Sequence, residues 1–160
     1  MESVKVIDNK KFIGDKNYLK LMEKDEKLYW SGESYKINKR GKRQNRLFIV
    51  TNKRLINVGK QGNALTNIFS KLVKRQIQLE NVTGITYSQI SNNFVLHVPK
   101  EYDYYLCTSN KNELLDKILE LKKALGQPPV DFYMVEDIDL GKYTKNDNEK
   151  EMKYPEVQPQ

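Results

Sequence analysis

With 160 residues, 38% hydrophobic and 31% charged, the chain has room for one domain with a modest core and polar ends. Its one cysteine, Cys107, excludes an internal disulfide and any multi-cysteine metal site, and no apolar run approaches the ~18 residues of a membrane-spanning helix. The net charge of +7 is unevenly placed: residues 34–79 hold twelve lysines and arginines and no acid, so the remainder is net acidic and a local positive field suited to an acidic partner is expected.

The start, MESVKVIDNKKFIGDKNY, has no apolar stretch of signal-peptide length, so a cytoplasmic protein is expected. Asp15 is placed to cap a short helix, KNYLKLMEKDE, in which Tyr18, Leu19 and Met22 recur at helical spacing; residues 1–26 thus read as an N-terminal segment. Seven strand-like runs follow: KLYWSGESYKIN, RLFIVT, RLINV, KRQIQL, GITYSQI, NFVLHV and YYLCT. They are rich in β-branched and aromatic residues and bounded by Asn, Gly and Pro, as strands are. Gly32 inside the first suggests a bulge or bend. The period then changes. Leu114, Leu115, Ile118, Leu121 and Leu125 form one stripe of a helix over Lys111–Leu125, with Asn110 as its cap, Lys122 and Lys123 as late bases, and Gly126, Pro128 and Pro129 as its stop. Seven antiparallel strands and one amphipathic helix point to a mainly β fold over residues 27–126. The expected form is a pleckstrin-homology-like seven-stranded antiparallel barrel, its open apolar end capped by the C-terminal α-helix. Residues 127–160 form an acidic extension with eight acids and four lysines. Within it Phe132, Met134, Ile138 and Leu140 mark either an extra strand or a segment that docks on a partner, and the last residues read as disordered when alone.

Pairing the first two strands as a hairpin gathers Lys36, Lys39, Arg40, Lys42, Arg43 and Arg46 at its loop and shoulders, a site for anionic lipid or an acidic partner. In the loop before the fourth strand, Leu65, Ile68, Phe69 and Leu72 share one helical face. They are read either as packing across the barrel mouth or as a membrane or partner contact. His97 and Cys107 fall on neighbouring strands, but a register with His97 near Tyr104 keeps them about 10 Å apart along the strand, without a base and its orienting group. The sequence shows no Gly-rich phosphate loop, metal helix or calcium loop. A non-enzymatic protein without cofactor or metal is therefore expected. Nucleic acid is disfavoured, because the aromatics are scattered and form no stacking platform.

Three stretches, FIGDKNYLKL, YKINKRGKRQNRLFIVT and LENVTGITYSQISNNFVLHV, come in the order and with the motifs of one family. From about Phe12 to Leu125 the chain resembles the tail-homology 1 domain of class I myosins, here expected to be free-standing without a motor. The resemblance implies a pleckstrin-homology-like fold and binding to anionic phospholipids, phosphoinositides among them. It places the headgroup site on the first hairpin, at Lys36, Lys39, Arg40, Lys42, Arg43 and Arg46. Two functions follow as expectations. In the first, the domain is a peripheral-membrane or cytoskeletal adaptor engaging anionic membranes through the basic loop. In the second, it is a structural part of a cytoskeletal or ciliary assembly, its basic face on actin or tubulin and its tail on a neighbouring subunit.

Overall fold

In the computed structural model, residues 22–38, 40–59, 73–146 and 153–155 are described. All seven expected strands form: β1 (Leu28–Ile37), β2 (Arg43–Thr51), β3 (Arg54–Gly59), β4 (Val73–Gln78), β5 (Gly84–Tyr87), β6 (Asn93–His97) and β7 (Tyr104–Cys107), followed by helix α1 (Lys111–Ala124). Neighbouring strands pair antiparallel from β1 to β4 and from β5 to β7, and β1 joins the two halves by pairing with β7.

The seven-stranded barrel needs a correction. An eighth strand, β8 (Asp131–Met134), lies parallel to β5, giving one open sheet in the order β4-β3-β2-β1-β7-β6-β5-β8. A parallel partner requires a long crossover, which β6, β7 and α1 together supply. The Asp131 N–H bonds the Thr83 carbonyl and the Val135 N–H bonds the Tyr87 carbonyl, so β8 satisfies the backbone edge that β5 would otherwise expose. The extension is thus continuous with the sheet, with Val130 buried and the Phe132 ring edge-on to Tyr87.

The inner face of the sheet carries Trp30, Phe48, Val50, Leu55, Ile77, Ile85, Phe94, Leu96 and Leu106, packed against Leu114, Leu115, Ile118 and Leu121 of α1. The expected stripe is right except at its end. Leu125 sits at the helix cap and is exposed, where Gly126 adopts φ +69° and the Gly126 and Gln127 N–H groups bond the carbonyls of Lys123 and Lys122. Lys122 does not stay in solvent as a late base: its Nζ turns inward to the Leu79 carbonyl at 3.1 Å, and burial lowers its pKa. At the other end of α1, Glu113 accepts a 2.9 Å bond from the Trp30 indole, which ties the helix to β1. That indole also explains Gly32. The bulge in β1 falls between Leu28 and Trp30, whereas at Gly32 a Cβ would stand 2.7 Å from a Trp30 ring carbon.

The outer face is covered too. Over β2 and β3 it carries Leu28, Leu47, Ile49, Ile56 and Val58, with Met22 and Val73 against them. Over β5 to β7, a 3-10 turn (Asp137–Tyr143) continuing to Asn146 crosses the sheet, and Leu140, Val95, Thr86 and His97 are fully buried.

The expected N-terminal helix fails where it can be seen. Residues 24 and 25 form a turn, with Asp25 at φ 65°, and residues 15–21 lie outside the described set. The turn brings Glu26 inward onto Arg54, with Oε2 2.8 Å from Nε and Oε1 2.9 Å from Nη2, while Thr51 donates to the same carboxylate. Burial pushes the Glu26 carboxyl up, but the bonds from Arg54, Thr51 and the Glu23 amide outweigh it, and its pKa lies below the ordinary value.

Two predictions follow from these contacts. A lowered carboxyl pKa contributes stability that is present above the unfolded-state value and is lost as pH falls through the folded one. Thermal stability of the wild type should therefore be flat at neutral pH and fall below about pH 4–5. Glu26→Gln should cost about 3 kcal/mol at pH 7 and flatten that acid limb, and an unchanged limb in calorimetry would remove the pair from the account. Gly32→Ala should lower the melting temperature by the equivalent of about 1–3 kcal/mol and perturb Trp30 fluorescence; a wild-type melt and spectrum would contradict the close approach.

Candidate anion-binding hairpin

β1 and β2 pair from Leu28↔Thr51 to Ile37↔Arg43, leaving residues 38–42 as the connecting loop. Asn38 organises it. Its Oδ1 accepts from the Arg40 N–H at 2.9 Å and the Lys42 N–H at 3.0 Å, and its own N–H bonds the Lys42 carbonyl. Gly41, at φ +80°, supplies the left-handed residue that closes the turn, and its N–H bonds the Asn38 carbonyl. The loop is thus a built turn presenting Arg40 and Lys42, both exposed. Lys39 lies outside the described residues.

Register then sorts the shoulders. Residues directly opposite on an antiparallel pair share a face. Ser34 opposes Arg46, Lys36 opposes Gln44, and Gly32 opposes the core residue Phe48, so Lys36 and Arg46 belong to the inner face. Ile37 opposes Arg43 and Tyr35 opposes Asn45, so Arg43 belongs to the outer face, where its guanidinium stands 5.8 Å from the centre of the Tyr35 ring. The five described residues of the expected cluster therefore form a tip, Arg40 and Lys42, and two shoulders facing opposite ways.

The structure also removes cations from the sequence-level field. Arg54 is spent on Glu26, Lys53 lies 3.7 Å from Glu23, and Arg75 lies 3.6 Å from Glu101. Arg40, Lys42, Arg43 and Arg46 make no salt bridge among the described residues, which leaves the hairpin as the concentrated positive feature.

The turn between β6 and β7 stands at the same end. Arg75 donates to the carbonyls of Tyr102 and Asp103 and stacks 3.8 Å from the centre of the Tyr102 ring. From the opposite side Lys145 donates Nζ to the Pro99 and Glu101 carbonyls; its N–H donates to Asp103 Oδ2 and its carbonyl accepts from the Asp103 N–H. Residues 141–146 thereby run beside the hairpin, in a cleft shared by Ile37, Asn38, Tyr105, Thr144 and Asn146. The acids of this strap are engaged elsewhere, Asp137 with Ser91 and Asn93 and Asp139 with Lys142 at 2.8 Å.

Among the other sequence candidates, Phe132 and Met134 sit in β8 and Leu140 is buried against this chain's own sheet. Ile138 lies in the 3-10 turn, its side chain outside the described set. Leu65, Ile68, Phe69 and Leu72 all lie outside the described residues. His97 lies near Tyr104 as expected, one position from the Leu96–Tyr104 pair, and opposes Gly84 on β5. The sequence reading is corrected in one respect: His97 does have an orienting group. Its Nδ1 is 2.9 Å from Asp103 Oδ2 and its Nε2 2.6 Å from Thr86 Oγ1. All three residues are buried, Tyr133 and Tyr154 pack over the ring, and Asp103 also receives the Val98 and Lys145 N–H groups. This is a strut joining β5, β6, the β6–β7 turn and the strap. The Cys107 thiol is elsewhere, opposite Asn93, and burial pushes its pKa up. No signal in the sequence marks Asp103, which lies in a turn, or Arg75, one basic residue within the run KRQIQL.

A curved, mostly antiparallel sheet covered by one C-terminal helix, with a basic hairpin at its open end, defines a pleckstrin-homology-like domain. The hSac2 domain from the human phosphoinositide phosphatase Sac2 is similar at a TM-score of 0.51 and 14% identity, over 88% of this chain and 90% of that one. The linker and DH/PH domains of p115-RhoGEF are similar at 0.50 and 14%, over 68% of this chain and 32% of that one. At such identities the likeness speaks to the fold. No curated protein matches in sequence. The family is shown directly: residues 7–157 match the model of the unconventional myosin tail, described as actin- and lipid-binding, and the chain belongs to that family.

The built turn carries its own prediction. Asn38→Ala removes two acceptor bonds at an exposed loop, so the melting temperature should hardly move while the amides of Arg40 and Lys42 exchange faster with solvent. Unchanged exchange would mean that Asn38 does not order the loop.

Proposed function

We propose that this domain is a non-catalytic adaptor that attaches to anionic phospholipid surfaces, phosphoinositide-bearing ones included, through the β1–β2 hairpin. The observation that carries the reading is the ordered, acid-free turn of residues 38–42, with Arg40, Lys42 and Arg43 exposed around it. Membership of a lipid-binding family supports it. Each cation near an anionic leaflet is worth about 1 kcal/mol, so four to six give an attraction from about millimolar to tens of micromolar that falls with salt. The domain then sits at the membrane periphery or on the membrane-bound cytoskeleton. Actin filaments are the second surface to test, because the family description includes them.

Replacing Arg40, Lys42 and Arg43 together with Glu should abolish pelleting with phosphatidylserine vesicles at physiological salt while leaving the melting temperature within a few degrees of wild type. Parallel spins with actin filaments separate the two surfaces. Wild-type pelleting of the triple variant with vesicles would overturn the hairpin reading.

A further inference from the structure

In covering the edge of β5, β8 becomes an edge itself. The Asp131 and Val135 N–H groups point to β5, where they bond the Thr83 and Tyr87 carbonyls. Backbone groups alternate sides along a strand, so those of Tyr133 face β5 and those of Phe132 and Met134 face away. β8 is last in the sheet order, and no backbone group pairs with Phe132 or Met134 on that side among the described residues. The strand runs toward the β5–β6 turn, at the end remote from the basic hairpin. There a groove of about 590 Å³ opens between Ile90, Met134, Tyr143 and Pro155, with Glu136 and Asp139 on its lining. Ile90 stands beside it 84% exposed. Met134 belongs to both features, through its outward backbone and its place in the groove.

An unpaired edge is a template for a further strand, and native sheets blunt it with lysine, proline, a bulge or a cover. β8 reads Asp-Phe-Tyr-Met, with neither lysine nor proline. The charges that flank it are of one sign. Asp131 and Glu136 are both exposed and enter no salt bridge among the described residues, while Asp139 is held by Lys142. Among the described residues no lysine or arginine lines the groove. A second copy of the chain is a poor occupant. Antiparallel pairing centred between Tyr133 and Met134 opposes Asp131 to Glu136, and parallel pairing lays each acid beside its own copy, so both set acid against acid. A strand with basic flanks removes that conflict.

We propose that the β8 edge and this groove form a docking site for an extended basic segment of a protein partner, added to the sheet as a further strand. The backbone of the segment bonds the outward groups of Phe132 and Met134. One of its aliphatic or aromatic side chains enters the groove beside Ile90, and lysine or arginine on either side meets Asp131 and Glu136. The inference stands apart from the membrane-attachment reading. It uses a patch of opposite charge at the other end of the strands, so a domain fixed by its hairpin keeps this site turned away from the surface that holds it.

The test follows the backbone amides of the full chain by two-dimensional NMR and hydrogen exchange at constant ionic strength. The probes are two pools of seven-residue peptides in which Val, Ile, Leu or Phe alternates with lysine in one pool and with glutamate in the other. The lysine pool should shift the Phe132 and Met134 amides to saturation and slow their exchange about tenfold or more, and the glutamate pool should do neither. Lysine peptides N-methylated on every backbone amide cannot donate to the edge and should give no protection. Glu136→Lys should melt within a few degrees of wild type and bind the lysine pool about tenfold more weakly. The Arg40, Lys42 and Arg43 charge reversal should keep the peptide response while losing vesicle pelleting, so the two readings fail separately. Lysine peptides that leave both amides exchanging as in the free chain, or a Glu136→Lys protein that binds them as wild type does, would overturn the site. So would evidence of another occupant. Protection of Phe132 and Met134 that rises with protein concentration alone means a second copy, and full protection in the dilute, peptide-free chain means a segment of this chain.

Discussion

The pairing of Ile37 with Arg43 is the contact on which the candidate site depends. Side chains alternate faces along a strand, so this register decides which cations look inward and which outward, and a slip of one residue would exchange them. The register is enforced from two directions. Behind the loop, Gly32 must oppose Phe48 so that the Trp30 indole can lie over it and reach Glu113 on α1. Ahead of it, Asn38 and Gly41 close a turn that spans residues 38–42. The basic tip is therefore a consequence of core packing farther back along both strands, and its charges are held on a stiff support.

The second constraint is coverage. A sheet apolar on both faces needs two covers, and this chain supplies them in sequence order: α1 for the inner face, then the strap that follows β8 for the outer face of β5 to β7. Near its described end the strap carries Lys145, which grips the β6–β7 turn from outside while Arg75 grips it from inside. The turn beside the hairpin is thus bound by cations to backbone carbonyls on both sides. That arrangement links the acidic extension mechanically to the basic end of the domain, without any described strap acid reaching the hairpin.

Much of this was legible in the sequence where periodicity carries it. The seven strands and α1 stand out because their alternation or stripe runs for several residues between clear breakers. β8 was only one of two options for its stretch, because Val130, Phe132 and Met134 alternate briefly among acids. Its parallel pairing with β5 depends on an edge that appears only after folding. Glu26 falls at the end of the expected helix and Arg54 among the twelve cations of residues 34–79, since nothing local reports a partner so far along the chain. The hairpin cations were found as a cluster, but their division between faces needed the register.

Together these features describe a lipid-binding family member with a charged tip at one end and, at the other, the β5–β6 turn with its exposed Ile90. Strand directions place residue 44 and residue 90 at opposite ends of the sheet. The most direct test of the central claim is spin-label accessibility on anionic vesicles, with one label at the exposed Gln44→Cys and another at Ile90→Cys. The account predicts that the label at 44 enters the headgroup layer on binding while the label at 90 stays in bulk water. Burial of the label at 90, or equal exposure of both on bound protein, would contradict it.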